Sequence, residues 1–266
     1  MTFFNKPLYN YIFSNAMIHQ INILNDLKQQ LIQFPKEYST CLNEISYPFI
    51  PFIDQNFSSS KNRVLLIGQE SKGWQGRLDK FLSDDINFET VIQNSMQRYQ
   101  SLYSQPAKQS KFLQFLTEIK KINQDQPVQW LNFYLFDYKK SSFNKLSKTP
   151  NNDLFIYLRN LSISNLAHQI TQLKPRIIFF VGQYHHNFPK LIEELQLSSD
   201  EVIKLKNPIN KFSMRIWNQE TLVLRMPHPA HYSQTSHQAR LVALDYFHTF
   251  NKCSNVLEFK NLIESS

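Results

Sequence analysis

The sequence predicts an α/β fold with a mostly parallel central sheet of about four strands and helices on both faces. Short apolar runs bounded by turn residues alternate along the chain with segments whose apolar residues recur at helical spacing. The runs are apolar at nearly every position, which is typical of strands buried on both faces of a parallel sheet. Together these observations predict a three-layer α/β/α sandwich.

The predicted strands are short apolar runs that end at glycine, proline or polar residues. The run "RVLLIG" opens the series and follows a loop at 45–62 that two prolines interrupt. The run "RIIFFVG", which begins directly after Pro175, is the clearest strand in the chain. The predicted strands cover residues 63–68, 128–136, 176–182, 212–217 and 221–227.

The predicted helices carry apolar residues three or four positions apart, so that these residues share one face. One such stripe runs from Ile18 to Leu31, and another runs from Phe112 to Ile119. We expect residues 1–62 to form an N-terminal helical segment packed on the core, and residues 63–266 to form one α/β domain. The predicted helices cover residues 16–33, 108–122, 153–172, 186–197 and 235–250.

The composition favours a polyanionic partner. Lysine plus arginine number 29 and aspartate plus glutamate number 21, which gives a formal charge of +8. This balance is typical of proteins that bind nucleic acid or an anionic surface, although a generally basic protein without such a partner remains an alternative. The 22 Phe, 12 Tyr and 3 Trp exceed what a core needs, and surface rings often stack on bases.

The cysteine count excludes several kinds of cysteine-based site. Cys41 and Cys253 are the only cysteines, which excludes a disulfide framework, a cysteine zinc site and a four-cysteine iron–sulfur cluster. The default expectation is a reduced, cytoplasmic protein. We identify neither the apolar core of a signal peptide near the N-terminus nor an apolar run long enough to span a membrane.

Polar residues follow the predicted strands. Ligands of parallel α/β sheets bind beyond the carboxyl ends of the strands, so these residues are the first candidates for a site. They offer a carboxylate, an amide, histidines and aromatic rings in the segments 68–74, 182–186 and 226–233, together with Asn132 in the second strand.

Several common sites do not fit these segments. A dinucleotide site requires G-x-G-x-x-G after the first strand, and here that loop has only Gly68 and Gly73 before Trp74. The chain also lacks a Walker A loop and the G-x-S-x-G elbow of a serine hydrolase. A metal site is disfavoured because no H-E-x-x-H spacing or cysteine supports the histidines at positions 185, 186, 228 and 231.

Four segments resemble motifs of the uracil-DNA glycosylase superfamily. They are "IGQES" after the first strand, "WLN" in the second, "KPRIIFFVG" at the third and "HPAHYS" after the last, in the family's order over residues 63–233. Better-known members carry Gly-Gln-Asp-Pro-Tyr-His in the first motif and His-Pro-Ser-Pro-Leu-Ser in the last. The resemblance implies a uracil-DNA-glycosylase-like fold and a monofunctional DNA glycosylase that flips a base from DNA, without a metal or cofactor.

The resemblance also implies two catalytic residues. Glu70 occupies the position of the family's water-positioning aspartate, although its side chain is one carbon longer. His228 occupies the position of the histidine that donates to the base oxygen, and Pro227 and Pro229 stiffen its loop. The alternatives are a surface carboxylate for Glu70 and a turn histidine with a backbone partner for His228.

Further residues are implied in base binding. Asn132 matches the residue that reads the base edge, although a strand-end asparagine that bonds only to backbone is the alternative. Gly68 allows close approach of the backbone, and Gln69 offers a backbone N–H. The candidates for the ring that stacks on the base are Trp74, Phe133 and Phe136, and for each of them packing in the core is an equal alternative.

DNA contacts are implied for the loops around these residues. Tyr232 occupies the position of the family's wedge residue, which fills the gap left by the flipped nucleotide, and a surface-packed ring is the alternative. Ser233, Lys72 and His231 are expected beside it. Other candidates for phosphate contacts, each individually more typical of a solvated charge, are Lys108, Lys111, Lys139, Lys140, Lys145, Lys148 and Arg240.

The departures from the family motifs concern the substrate. Lys72 and Gly73 stand where uracil-specific relatives carry a Tyr-His pair that excludes a 5-substituent. We therefore expect a pocket open to larger pyrimidines, such as the hypermodified cytosines of phage DNA, which implies a role in phage defence. Uracil repair and a non-catalytic DNA-binding protein on the same fold remain alternatives, and a nucleotide-metabolism enzyme is disfavoured. The oligomeric state is left open, with a monomer expected.

Overall fold

The structure is a computed structural model that describes residues 21–33, 41–104, 110–182 and 187–265. Within these ranges six strands form one mixed sheet with helices on both sides. The strands are β1 (Val64–Gly68), β2 (Val128–Asn132), β3 (Ile177–Val181), β4 (Val202–Lys204), β5 (Ser213–Trp217) and β6 (Thr221–Met226), and they lie in the order β2-β1-β3-β6-β5-β4.

The sheet is larger than predicted. Strands β2, β1, β3 and β6 are parallel, whereas β5 and β4 extend the sheet in antiparallel order, so the prediction of about four strands is wrong. Strand β4 has only three residues and none of them is fully buried, which leaves no apolar run to detect. Between β5 and β6 a tight turn places Asn218 and Gln219 at positive φ, a conformation that is common in the turns of antiparallel hairpins.

In the described part of the chain the α-helices are α1 (residues 21–32) and seven others. Helices α1, α4, α5, α6 and α7 correspond to predicted ones, whereas α2, α3 and α8 were not predicted. The predicted helix at 16–33 extends outside the described residues at its N-terminal end. The seven helices are α2 (Leu78–Phe81), α3 (Phe88–Ser104), α4 (Lys111–Ile122), α5 (Asn152–Leu173), α6 (Phe188–Glu194), α7 (Gln234–Phe250) and α8 (Val256–Glu264).

Alternate residues of each central strand face opposite layers. In β1, Leu65 and Ile67 join an apolar cluster with α1, α5 and α6, while Val64 and Leu66 join a second cluster with α4, α7 and α8. Helix α1 buries Leu24, Leu27 and Leu31 in the first cluster. Within the described ranges, no helix is both long enough and apolar enough to cross a membrane.

The predicted second strand is too long. Strand β2 ends at Asn132, and residues 133–136 leave the sheet although all four side chains are buried. The apolar run therefore continues past the strand because it fills the core beneath the strand ends. In the parallel register Gly68 pairs with Asn132, and Val181 pairs with Met226. The segments that follow β1, β2 and β6 therefore meet at one edge of the sheet.

Candidate functional site

A pocket of about 640 Å³ lies at this edge, beyond the carboxyl ends of β1, β2 and β6. Glu70, Asn132 and His228, which come from three distant parts of the chain, all line it. This is the position at which parallel α/β sheets bind their ligands. The other predicted site residues in its wall are Gly68, Gln69, Lys72, Trp74, His231 and Tyr232.

Some predicted residues lie elsewhere. Phe133 and Phe136 are fully buried and do not line the pocket, because they pack against other rings of the core. Ser233 caps α7, since its hydroxyl oxygen accepts a hydrogen bond from the backbone N–H of Ser236 at 3.2 Å. The segment 183–186, which follows β3 and includes two candidate histidines, lies outside the described residues, as does Lys108.

Asn132 is held in one orientation by its neighbours. The Trp130 indole Nε1–H donates to Asn132 Oδ1 at 2.9 Å, and Asn132 Nδ2 donates to Ser71 Oγ at 2.6 Å. Because the indole can only donate, the atom that it meets must be the amide oxygen. One lone pair and one hydrogen of the amide remain for a ligand. A fixed amide of this kind can distinguish one polar edge from another.

Glu70 is a carboxylic acid in a desolvated setting. Burial raises its pKa from the ordinary 4.5 to about 7, against the opposing effects of the Lys72 charge and a hydrogen bond from Ser142. Its Oε2 atom is buried and has no hydrogen-bond partner among the described residues. A carboxyl group with a pKa near neutrality exchanges protons readily at physiological pH, which suits a general base.

His228 is an uncharged hydrogen-bond donor at neutral pH. Burial, helped by the nearby Lys72 charge, lowers its pKa from 6.5 to about 4. Its Nδ1 accepts a hydrogen bond from the backbone N–H of Ala230 at 3.1 Å, so the proton of the neutral ring sits on Nε2. The loop is held in turn by Arg240, which donates to the Pro229 carbonyl at 3.1 Å. Arg240 is therefore engaged with this loop rather than free for a phosphate.

Phe112, like Trp130, is an aromatic residue of the pocket wall that sequence reasoning missed. Its ring lines the pocket and lies nearly parallel to the His228 ring, with the ring centroids 6.2 Å apart at 15°. In the sequence it belongs to the apolar stripe of α4, which looks like an ordinary core face. Its place in the first turn of α4, after the Ser110 cap, is the available signal. A helix that leads into a parallel strand begins at the edge where the strands end.

Cationic groups surround the pocket. Lys72 is exposed, and Arg98 of the unpredicted helix α3 donates to the Gly73 carbonyl at 2.8 Å and lies 5.4 Å from the Trp74 ring. Lys111 also lines the wall. Lys139, by contrast, forms an ion pair with Glu44 at 3.0 Å. The mouth of the pocket is therefore suited to an anionic ligand.

Tyr232 is the most exposed aromatic ring of the site, with 93% of its surface accessible. It follows His231, whose backbone N–H donates to the His228 carbonyl at 2.9 Å and whose Nδ1 lies 3.0 Å from Ser236 Oγ. The loop is therefore ordered by its own hydrogen bonds while the tyrosine projects from it. The exposed ring is therefore available to stack on a ligand at the pocket mouth.

The pocket combines a proton-accepting carboxylate, a neutral donor, an oriented amide, a flat ring and a cationic mouth. No group of three or more His, Cys, Asp or Glu side chains in the described ranges is arranged to hold a metal ion. The chain matches no protein-family model and no curated protein, so its function has to be inferred from the site.

Proposed function

We propose that the chain is a DNA glycosylase of the uracil-DNA glycosylase superfamily, which flips a pyrimidine out of DNA and hydrolyses its N-glycosidic bond to leave an abasic site. The observation that carries the proposal is that Glu70, Asn132 and His228, taken from three separate motifs, line one pocket. Residues that follow adjacent parallel strands meet in any such sheet, so the support lies in their chemistry, since a carboxylate, an amide and a histidine all line the same pocket.

The reaction follows from the charges that develop. The bond between C1′ of the sugar and the base nitrogen breaks, and its electron pair leaves with the base. His228 Nε2–H donates a hydrogen bond to the base oxygen that takes up this negative charge. A water molecule held by the Glu70 carboxylate adds to C1′, and its proton passes to that carboxylate. The pKa of about 7 suits Glu70 to this transfer near neutral pH.

The flipped base is held between a ring and an amide. The Phe112 ring offers a flat face for stacking, and Asn132 offers one donor and one acceptor to the base edge. Gly68 lies close to both residues. A Cβ atom at position 68 would lie 2.9 Å from Asn132 Oδ1 and 3.1 Å from the Phe112 ring. The missing side chain therefore keeps the base-reading amide in place.

Replacing Gly68 with alanine is expected to slow base release by about 10- to 100-fold, because the added methyl group displaces the groups that position the base. Single-turnover release measures the effect, and thermal unfolding verifies that the protein remains folded. In an Asn132→Ala background the same change should cost less, since the Asn132 contact is gone. Equal losses in both backgrounds would rule out displacement of the amide as the cause.

The basic charge and the pocket mouth support DNA as the partner. The chain carries a formal charge of +8, and Lys72, Arg98 and Lys111 line the pocket. Such groups contact phosphates and position a duplex without reading its sequence. Tyr232 then stands where a ring can fill the gap that the flipped nucleotide leaves.

Replacing Tyr232 with alanine is expected to weaken DNA binding and base release together by about tenfold, as loss of one stacking ring does. Stability should not change, because the side chain is 93% exposed. Tyr232→Phe, which keeps the ring, should restore both activities. Leu241→Ala is a matched exposed control on α7, outside the pocket wall. A Tyr232→Ala variant with normal binding and release would remove the wedge role.

The decisive experiment is single-turnover incubation with oligonucleotides that contain uracil, 5-hydroxymethylcytosine or glucosylated cytosine. Released base is measured by chromatography, and abasic sites are measured by alkaline strand cleavage. Base release that Glu70→Gln and His228→Ala both suppress supports the proposal. Bound DNA without base release from any substrate would instead support the non-catalytic alternative.

A larger pyrimidine is the favoured substrate within this proposal. Lys72, which stands at the position of the closing tyrosine of uracil-specific relatives, lines the pocket and is exposed. The pocket volume of about 640 Å³ also leaves room for a base that carries a bulky substituent. Hypermodified cytosine, and with it a role in phage defence, therefore comes before uracil repair. Release of uracil alone in the same assay would reverse this order.

A further inference from the structure

Asp137 is a buried carboxylate that takes no direct part in the proposed reaction. It follows the apolar run 133–136, is 2% exposed and does not line the pocket. Burial raises the pKa of Asp137 above its ordinary value, while hydrogen bonds from backbone N–H groups oppose that rise. A buried acid is costly unless its oxygens accept hydrogen bonds, so its partners indicate what it is for.

The partners of Asp137 belong to the loop that carries Glu70. Asp137 Oδ2 accepts a hydrogen bond from the Trp74 N–H at 2.7 Å, and its carboxylate also accepts from the backbone N–H groups of Gly73 and Lys140. Its own backbone N–H donates to Ser46 Oγ at 3.0 Å, and its carbonyl accepts from the Ser46 N–H at 3.2 Å. Asp137 therefore ties the loop to two other segments of the chain.

One segment that Asp137 joins has a costly backbone conformation. Lys139 and Lys140 have φ values of +51 and +54, in the left-handed region that residues with a side chain seldom adopt, whereas Gly73 takes its φ of +70 without strain. The hydrogen bond from the Lys140 N–H to the Asp137 carboxylate offsets part of this cost. Arg98 also holds the Glu70 loop, through the Gly73 carbonyl.

Asp137 also acts on Glu70 through its charge. The neighbouring groups that lower the pKa of Glu70 are Lys72, Ser142 and Gln69, whereas Asp137 raises it. Two further neighbours carry no charge at neutral pH, since the pKa of Tyr134 is about 12 and that of His228 is about 4. Asp137 is thus the negative group that favours the protonated form of Glu70.

We propose that Asp137 is a positioning residue that holds the Glu70–Trp74 loop by its backbone N–H groups and acts on Glu70 through its charge. The proposal rests on the proposed function, because it concerns the carboxylate that takes the proton from water. Asp137 touches neither the base nor the sugar. Its role is to place Glu70 and to add to the rise in the Glu70 pKa, of which burial is the largest cause.

Asp137→Asn keeps an oxygen acceptor and removes the charge. We expect the maximal rate of base release to fall, because an amide cannot accept all the backbone hydrogen bonds. We also expect the midpoint of the pH–rate profile to move to lower pH, since Glu70 then ionises more readily. The ¹³C resonance of the Glu70 carboxyl group, assigned with Glu70→Gln, should show the same shift of midpoint.

Ser46→Ala is the matched control, because it loosens the anchor of Asp137 and leaves the charge in place. It should lower the maximal rate without moving either midpoint. An unchanged Glu70 midpoint in Asp137→Asn would overturn the electrostatic role. A Trp74 amide resonance of the wild-type protein that does not follow the titration of Asp137 would overturn the positioning role, and this measurement needs no variant.

The two proposals fail separately. If the wild-type protein releases no base from any oligonucleotide, the glycosylase function fails. The Glu70 titration and the Trp74 amide resonance still test Asp137 in that case. If the wild-type protein is active, but Asp137→Asn leaves the Glu70 midpoint unchanged and the Trp74 amide does not follow the titration of Asp137, the glycosylase function stands and the role of Asp137 is wrong.

Discussion

Replacing Glu70 with glutamine is expected to slow base release by about 10²- to 10⁴-fold, the usual loss when a positioned proton acceptor is removed. Glutamine has nearly the same shape and fills the same space, so DNA binding should persist. Single-turnover release and a binding titration with the same oligonucleotide separate the two effects. Weakened binding with an unchanged rate would assign Glu70 to substrate affinity rather than to the chemical step.

The same variant should be more stable than the wild type above neutral pH. The pKa of Glu70 is raised from 4.5 to about 7, so the folded chain holds its proton more tightly than the unfolded chain does. The free energy of unfolding therefore falls as the pH rises from about 4.5 to about 7, and the destabilisation by the charged Glu70 carboxylate is fully present above about pH 7. Thermal unfolding at about pH 8 should give Glu70→Gln a free energy of unfolding ~1–2 kcal/mol higher than that of the wild type, with a smaller difference near pH 5.

Glu44→Gln is the control for this pH dependence. The pKa of Glu44 is lowered by hydrogen bonds from Lys139 and Tyr138, so its charge stabilises the fold. Its removal should have no stabilising effect at any pH.

For the wild-type protein, base release should rise with pH, reach half its maximum near pH 7 and level off above about pH 8, because only ionised Glu70 accepts the proton.

Replacing His228 with alanine is expected to lower the rate of base release by about 10²- to 10³-fold, as loss of one donor to a developing anion does. The pKa of His228 is about 4, so the ring is already neutral throughout the working range. No loss of activity through histidine protonation should therefore appear between about pH 5 and pH 8. The measurement is single-turnover release over that range.

His248→Ala provides the comparison for His228. His248 is exposed on α7 and does not line the pocket, so its removal should leave the rate within about twofold. His228→Gln restores a side-chain N–H and should recover part of the loss. If alanine and glutamine at position 228 are equally active, the donor role of His228 is wrong.

The parallel half of the sheet is predictable because its strands are apolar on both faces. β1 and β3 fall within one or two residues of their predicted bounds for this reason. Helix α3 is not predictable in the same way, since its buried face includes Ser95 and Tyr99 among polar neighbours. Its burial depends on partners distant in the sequence.

The residues of the candidate site likewise include some that the sequence predicts and some that it does not. Glu70, Asn132 and His228 stand in short segments that follow or end strands, so their sequence context makes them candidates, and all three line the pocket. Phe112 and Asp137 carry no such signal, because one looks like a core residue of a helix and the other like a polar residue after a strand. Their roles come from the neighbours that the fold gives them, namely the His228 ring and the Trp74 N–H.

The tryptophans of the pocket, one of which is hydrogen-bonded to Asn132, make ligand binding detectable by intrinsic fluorescence. Trp74 and Trp130 line the pocket, whereas Trp217, the third tryptophan of the chain, is buried elsewhere beside Phe180 and Phe188. A ligand that enters the pocket therefore alters the surroundings of two indoles and leaves the third as a constant background. Intrinsic fluorescence can thus follow ligand entry in the unlabelled protein, with Trp130 reporting on the Asn132 amide to which it is hydrogen-bonded.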